Sequence, residues 1–312
     1  MTRGILGLVL RACVVLTGVA LATFALLWNA PGDPALAIAL ARYDTVVPAD
    51  VIDRVRVEAG LDGGFWAAFK GWVGPLMAGD LGRSSVTGRA VWPELAAAGS
   101  YTVPLAVAGL GIGLAISVPL AVIATRAPGG WTDRFAVALA SLGAAVPAYW
   151  LGLLLILLFA VHLGWLPAMG ARTRAHVILP ALTLGLGVAA SLTRIIRSGI
   201  LEARGQQFLP ALRRRGVSDR AIGRDHVVPH AAIPVVTVFG LELAFLLEGT
   251  VMVEVIFGRP GLGSFLVAAI AARDFPKVQA VVLLTALVFV VVNLLVDVVY
   301  RLIDPRIGER DA

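Results

Sequence analysis

From Arg194 to Val236 the chain is hydrophilic, although most of the rest is apolar. Eight of the 26 Lys and Arg residues lie between Arg194 and Arg224, with only Glu202, Asp219 and Asp225 against them. These residue types suit recognition rather than bond making. Pro210, leading Ala211 and Leu212, can open a helix, because a first turn has no use for the missing N–H. Gly216 follows Arg213-Arg214-Arg215 and can end that helix in a left-handed turn without Cβ strain. Ser218 can cap a second helix, with Asp219 in its first turn, where the helix dipole favours an anion. Helix, glycine turn and capped short helix make a compact knob that includes Arg215. Such a knob either enters a groove on a soluble partner and passes on rigid-body motion, or lies on anionic lipid headgroups. The turn chemistry favours docking.

Three carboxylates, Glu242, Glu248 and Glu254, stand six residues apart in an apolar run. At about 100° per residue each step leaves about 240°, so the three point in three directions. They make neither one acidic stripe nor one metal cage on a single helix. Charge at membrane depth is costly and faces protein or water. One or two are expected to face a pore and the others to meet neighbouring helices; buried acids with a purely structural role are the equal alternative. No catalytic signature is present: no G-x-x-x-x-G-K-[ST], no H-E-x-x-H and no G-x-S-x-G. His226 and His230 stand four apart, but Pro229 intervenes and no acid follows in register. Cys13 is the single cysteine, which rules out an internal disulfide and a metal–thiolate cluster. No catalytic residue, metal or cofactor is expected.

The elements that hold these groups must sit in lipid. Hydrophobic residues make up 59% and charged residues 15% of the chain, and mean hydropathy is +0.88, against about 25% charge in a soluble domain. The pI near 10.2 reflects basic residues flanking apolar runs, so no nucleic acid is implied. An all-α membrane bundle of six spans is expected: Leu10–Asn29, Ser100–Thr125, Phe135–Leu163 kinked at Pro147, Ile178–Thr193, Ile233–Phe257 and Val278–Ile303. The first reads as an uncleaved span, because a cut after Ala30 would put bulky Trp28 at a position that favours small residues. Six spans put both ends on one side. Arg3, Arg11, Arg126, Arg134, the Arg194–Arg224 cluster, Arg301, Arg306 and Arg310 then share the cytoplasmic face. The segment 30–99 lies on the other face, with Asp33, Asp44 and Asp80 among its acids. Within it Pro48–Leu61 reads as a short amphipathic helix ending at Gly60. Phe65, Trp66, Phe69, Trp72 and Val73 follow at helical spacing, as a cap on the membrane surface. In the last span Asn293, Asp297, Tyr300 or Arg301, and Asp304 share one face, and Asp297 can pair with Arg301. The Gly-rich runs at Gly109, Gly111, Gly113, Gly185 and Gly187 read as close helix packing.

Several segments, in fixed order, resemble the permease subunits of bacterial dipeptide, oligopeptide and nickel ATP-binding-cassette (ABC) importers. They are Ala30-Pro31-Gly32-Asp33-Pro34, Gly79-Asp80-Leu81-Gly82, Pro147-Ala148-Tyr149-Trp150-Leu151-Gly152 and Gly164-Trp165-Leu166-Pro167. His176-Val177-Ile178-Leu179-Pro180-Ala181, Ile233-Pro234-Val235 and Phe257-Gly258-Arg259-Pro260-Gly261-Leu262-Gly263 follow. Arg273-Asp274-Phe275-Pro276 and Asp304-Pro305-Arg306-Ile307 complete the series.

The resemblance implies a single permease domain over 1–312 of the type I importer kind, in a bacterial inner membrane. It also implies partners: a second similar permease, two cytoplasmic ATPases, an external binding protein and the lipid bilayer. The segment 194–232 corresponds to the family's cytoplasmic coupling loop, whose signature is Glu-Ala-Ala, three residues, Gly. Gly216 matches the Gly, and Pro210, Ala211 and Leu212 fall on the triplet, so proline stands at the acidic position. Short peptides are the expected cargo. Nickel or a metal chelate is the alternative, suggested by Leu166-Pro167-Ala168-Met169-Gly170 and Gly205-Gln206. A self-sufficient ion-coupled transporter using the three glutamates is the reading from another class.

Overall fold

The computed structural model describes residues 2–29, 31–43 and 47–303. Among the described residues the secondary structure is helical, apart from one isolated bridge between Arg83 and Ala90. The chain divides into two compact units, Met1–Thr102 with Pro260–Val290, and Val103–Arg259 with Val291–Ala312.

The first unit holds α1 (Thr2–Trp28), α2 (Pro34–Tyr43), α3 (Ala49–Glu58) and α4 (Gly64–Met77). It also holds the start of α5 (Val91–Ala124), all of α12 (Leu262–Ala271) and the first half of α13 (Phe275–Ile303). The expected amphipathic helix is α3, with Pro48 before it and Gly60 at φ +65° after it. Its apolar face closes on α2 through Ala35, Ile38, Ala39 and Val55. Asp33 accepts the Ala35 amide at 2.9 Å and pairs with Arg56 at 2.7 Å, which fixes the entry of α2. Phe65, Phe69 and Trp72 of α4 surround Phe24 of α1, with ring centroids 5.3–5.6 Å away. Buried Asp274 accepts the Ser84 hydroxyl and, at 3.0 Å, the Ser85 amide. Lys277 lies 3.5 Å from Asp274 and 2.7 Å from Glu94. The motifs at Gly79–Gly82 and Arg273–Pro276 therefore flank one polar joint.

The second unit is built around α8 (Ile178–Arg204), packed on α6 (Trp131–Ala145) and α11 (Val228–Ile256). Between α6 and α8 lies α7 (Ala148–Leu155), which continues in a π-helical turn over Ile156–His162. The core joins Leu105, Leu179, Leu184, Val188, Leu192, Leu246, Val253 and Phe257. Close approach depends on glycine: a Cβ at Gly185 would lie 2.7 Å from Ile112 Cβ and 2.8 Å from the Gly109 carbonyl. Gly109 and Gly113 are similarly crowded, by Leu184 and Val188, whereas Gly111 and Gly187 meet nothing within 4 Å.

Among the described residues five helices are long and apolar enough to cross a membrane, and a sixth span results if α6 and α7 count as one broken pair. The expected kink at Pro147 is a bend of 100°. Proline pushes the preceding residue out of the helical region, and Val146 is extended (φ −86°, ψ 121°), so the helix stops and restarts. The expected second span begins nine residues early, at Val91, because Val91 and Leu95 find apolar partners in Ala280 and Val281. The short fourth span runs on through Arg204, and the segment expected as a loop over 194–232 is largely helical. Ala30, Asp44, Asp304–Ile307 and Arg310 lie outside the described residues, as do the side chains of Arg3 and Arg301, and with the latter the expected pair to Asp297.

Candidate functional site

The basic segment folds into α9 (Leu209–Arg214) and α10 (Asp219–Ile222), followed by a π-helical turn, Gly223–Val227, that leads into α11. Pro210 occupies the first turn of α9, so proline at the acidic position of the signature opens the helix instead of breaking it. At the other end Gly216 takes φ +80°. Its amide donates to the Arg213 carbonyl at 3.0 Å, and the Val217 amide donates to the Leu212 carbonyl at 3.2 Å. That pair of bonds is a Schellman cap, which satisfies the last carbonyls of the helix and requires a left-handed residue at the glycine. The apolar residues that flank the cap, Leu212 and Val217, pack on a cluster of Ala203, Leu209, Ile222, Val227 and Ala231. Ser218 is extended (φ −65°, ψ 148°) and its hydroxyl accepts the Ala221 amide at 3.3 Å. Asp219 pairs with Arg213 across the turn at 2.9 Å. The expected helix, glycine turn and capped helix are therefore present as one knob, seated on the end of α8 by its apolar side. Ala211, Arg214, Arg215, Gly216 and Arg220 are exposed on it.

The three glutamates of α11 do separate as their spacing requires. Glu242 is buried and hydrogen-bonded to Ser191 of α8, Glu254 is fully buried, and Glu248 is exposed. His226 and His230 flank Phe208, and His230 Nδ1 lies 2.8 Å from the His226 carbonyl.

Beside the knob lie polar contacts that the sequence pattern did not lead one to expect. Arg197 of α8 makes a two-armed contact with Asp133 of α6, in which Nη2 donates to Oδ2 at 2.7 Å. Asp133 is 3% exposed and also accepts the Gly129 amide at 2.7 Å. Arg204 donates to the carbonyl of Thr125, just past the end of α5. The local half of this pattern was readable: an acid in the first turn of a helix, reaching back to an amide before the cap. The partner sixty-four residues away was not.

A family model described as binding-protein-dependent transport system inner membrane component matches residues 117–309. The glutathione transport system permease protein GsiC of Escherichia coli (strain K12) is 39% identical over 277 residues, covering 89% of each chain. The protein of the same name from Pectobacterium atrosepticum is equally similar, 39% over 277 residues and 89% of each chain. Among solved structures, the MetNI methionine ABC transporter in an inward-facing conformation superposes with a TM-score of 0.55 at 19% identity, over 67% of this chain and 95% of that one. An amino acid ABC transporter gives 0.54 at 18% identity, over 67% and 94%. At those identities the structural likeness speaks for the fold alone.

Proposed function

The chain belongs to the binding-protein-dependent transport system inner membrane components, the permeases of ABC importers, and we propose that it forms half of the translocation path for short peptides. A second, similar permease completes the path. Two separate cytoplasmic ATPases drive it, since this chain carries no phosphate-binding loop of its own. An extracytoplasmic binding protein delivers the cargo. In this reading the chain crosses a bacterial inner membrane with both termini in the cytoplasm, residues 30–99 outside and residues 194–232 inside. The observation that carries it is the Schellman-capped knob centred on Gly216, whose exposed basic surface is held by a folded apolar base.

Peptide cargo is supported by the similarity, over most of the chain, to permeases named for glutathione, itself a short peptide. Glu248 is the candidate for the pore, because an exposed carboxylate on a membrane-crossing helix needs water or a partner to face. Glu242 and Glu254 are held inside the chain. Pro210, Ala211, Leu212, Arg215, Gly216, Ser218 and Asp219 are the coupling residues.

Gly216→Val tests the docking role. Nothing lies within 4 Å of a Cβ at this position, so the substitution acts through backbone conformation alone. A β-branched residue held at positive φ costs on the order of 1–3 kcal/mol, enough to distort the cap. Membrane insertion should persist, while ATPase co-purification weakens and uptake is lost. Normal uptake with undiminished ATPase association would place docking elsewhere. Uptake of labelled glutathione by the full transporter, competed by dipeptides and not by nickel, is the expected cargo result. Competition by nickel alone would favour the metal branch, and ion-driven uptake by the purified chain alone would favour a secondary transporter.

A further inference from the structure

We infer that Asp133, Arg197 and Arg204 form a latch that makes the knob, the last turns of α8 and the α5–α6 turn move as one body. Displacement at the docking surface then reaches α5 and α6 as well as α8 and α11, the two helices that flank the knob in sequence. This rests on the reading of the knob as the docking element.

The register of α8 sets the geometry. Arg197 and Arg204 stand seven residues apart, close to two full turns, so they share a face. Ile200 and Ala203 lie on the neighbouring face and belong to the apolar cluster that seats the knob. One side of the same two turns therefore holds the knob and the next side holds the α5–α6 turn. On that side each bond ends on a group with few alternatives. The Thr125 carbonyl follows the end of α5, where backbone acceptors have no helical donor, and Arg204 takes it. Asp133 sits in the first turn of α6, accepts the Gly129 amide and receives both arms of Arg197.

Two physical features make this a linkage rather than an ornament. A guanidinium–carboxylate pair with two parallel bonds fixes orientation as well as distance. And Asp133 is 3% exposed with Arg197 in place, so opening the pair takes away the charged partner that covers the carboxylate, which is unfavourable. An exposed ion pair would be screened and would yield under load. Asp133, Arg197 and Arg204 are thus positioning residues that act through the knob.

The experiment uses the assembled transporter in proteoliposomes. Exposed Cys13 is replaced by Ser, and spin labels are attached at Ala127→Cys and Gln207→Cys, both exposed positions. The expected label-to-label distance is the same in the nucleotide-free and ATP-trapped states, to within about 2 Å, the size of ordinary helix shifts. In Asp133→Asn, which keeps an acceptor for Gly129 and loses the charge, the two states should separate. Labelled glutathione carried per ATP should then fall roughly tenfold, with ATPase association and hydrolysis retained. Asp133→Glu should recover most of the transport. A distance that changes between states in the unsubstituted pair overturns the latch. So does Asp133→Asn with native distances and native transport per ATP. Loss of ATPase association in Asp133→Asn would also overturn it, by making the pair part of the docking surface; whether the knob docks at all is decided separately by Gly216→Val. Should Asp133→Asn fail to insert, Arg204→Gln, which removes one bond to a backbone carbonyl, is read by the same two measurements.

Discussion

Gly216 and Arg273 hold the same position at the ends of different helices, and only one of them is glycine. At Arg273 the backbone is left-handed, φ 51°. Its amide donates to the Ile270 carbonyl at 3.1 Å, and the Asp274 amide donates to the Ala269 carbonyl at 2.9 Å. The α12 end is thus the same cap that closes α9, built on a residue that dislikes it by roughly 1–2 kcal/mol. The cap delivers Asp274 to Ser84 and Ser85. Arg273→Gly should therefore leave the denaturation midpoint of the purified chain unchanged or raise it, whereas Arg273→Val should lower it, in a detergent-unfolding titration. Asp33 gives a pH prediction in the same unit. Burial raises its carboxyl pKa, but the Arg56 hydrogen bond and charge, with the Ala35 amide, outweigh that and hold it below the ordinary value of 3.8. A lowered carboxylate contributes stability that is complete above its unfolded value and disappears as pH falls through the folded one. Protease resistance of the 30–99 segment should accordingly decline on acidification below roughly pH 4. In Asp33→Asn the segment should be weaker at neutral pH and less sensitive to acid. An unchanged acid response in Asp33→Asn would assign the transition to other carboxylates.

Between elements, glycine decides how near α5 and α8 can come. Gly185 faces Ile112 and the Gly109 carbonyl so closely that any side chain must push the helices apart. Overpacking of this kind typically costs about 1–3 kcal/mol. Gly185→Val should therefore lower the unfolding midpoint and the yield of folded protein. Gly187→Ala, two residues away with nothing within 4 Å, should stay within about 0.5 kcal/mol of the native chain. Equal effects at the two positions would mean that the α5–α8 contact does not set the stability. Pro147 shows the opposite device. It ends α6 and starts α7 with a 100° change of direction.

For the whole molecule, the proposed topology puts the α3–α4 segment outside and the knob inside. Ser84 is unsuitable as a reporter because it is buried against Asp274. Thr87 and Gln207 are exposed. In a Cys13→Ser background, Thr87→Cys should react with an impermeant maleimide on intact cells, and Gln207→Cys only after the membrane is opened. Reaction of both from the same side would sink the topology.

Much of this was readable from residue types alone. Apolar runs long enough for lipid identify membrane helices without tertiary knowledge, because the bilayer sets a length that the chain must meet. Gly60 and Gly216 marked helix ends because a left-handed cap is a local demand of the backbone, and both take positive φ. The three directions of Glu242, Glu248 and Glu254 followed from helical geometry. Which of them is buried did not, since that depends on whether α8 offers a partner such as Ser191. That Pro210 could open a helix was legible in sequence, and α9 does begin there; that α9 seats on the α8 end was decided by tertiary packing. Nor did the sequence foreshadow the Asp133–Arg197 pair or the Asp274 joint. Their partners lie 64 and 190 residues apart along the chain. A charge in sequence shows only that it must be satisfied; the packing of helices determines by what.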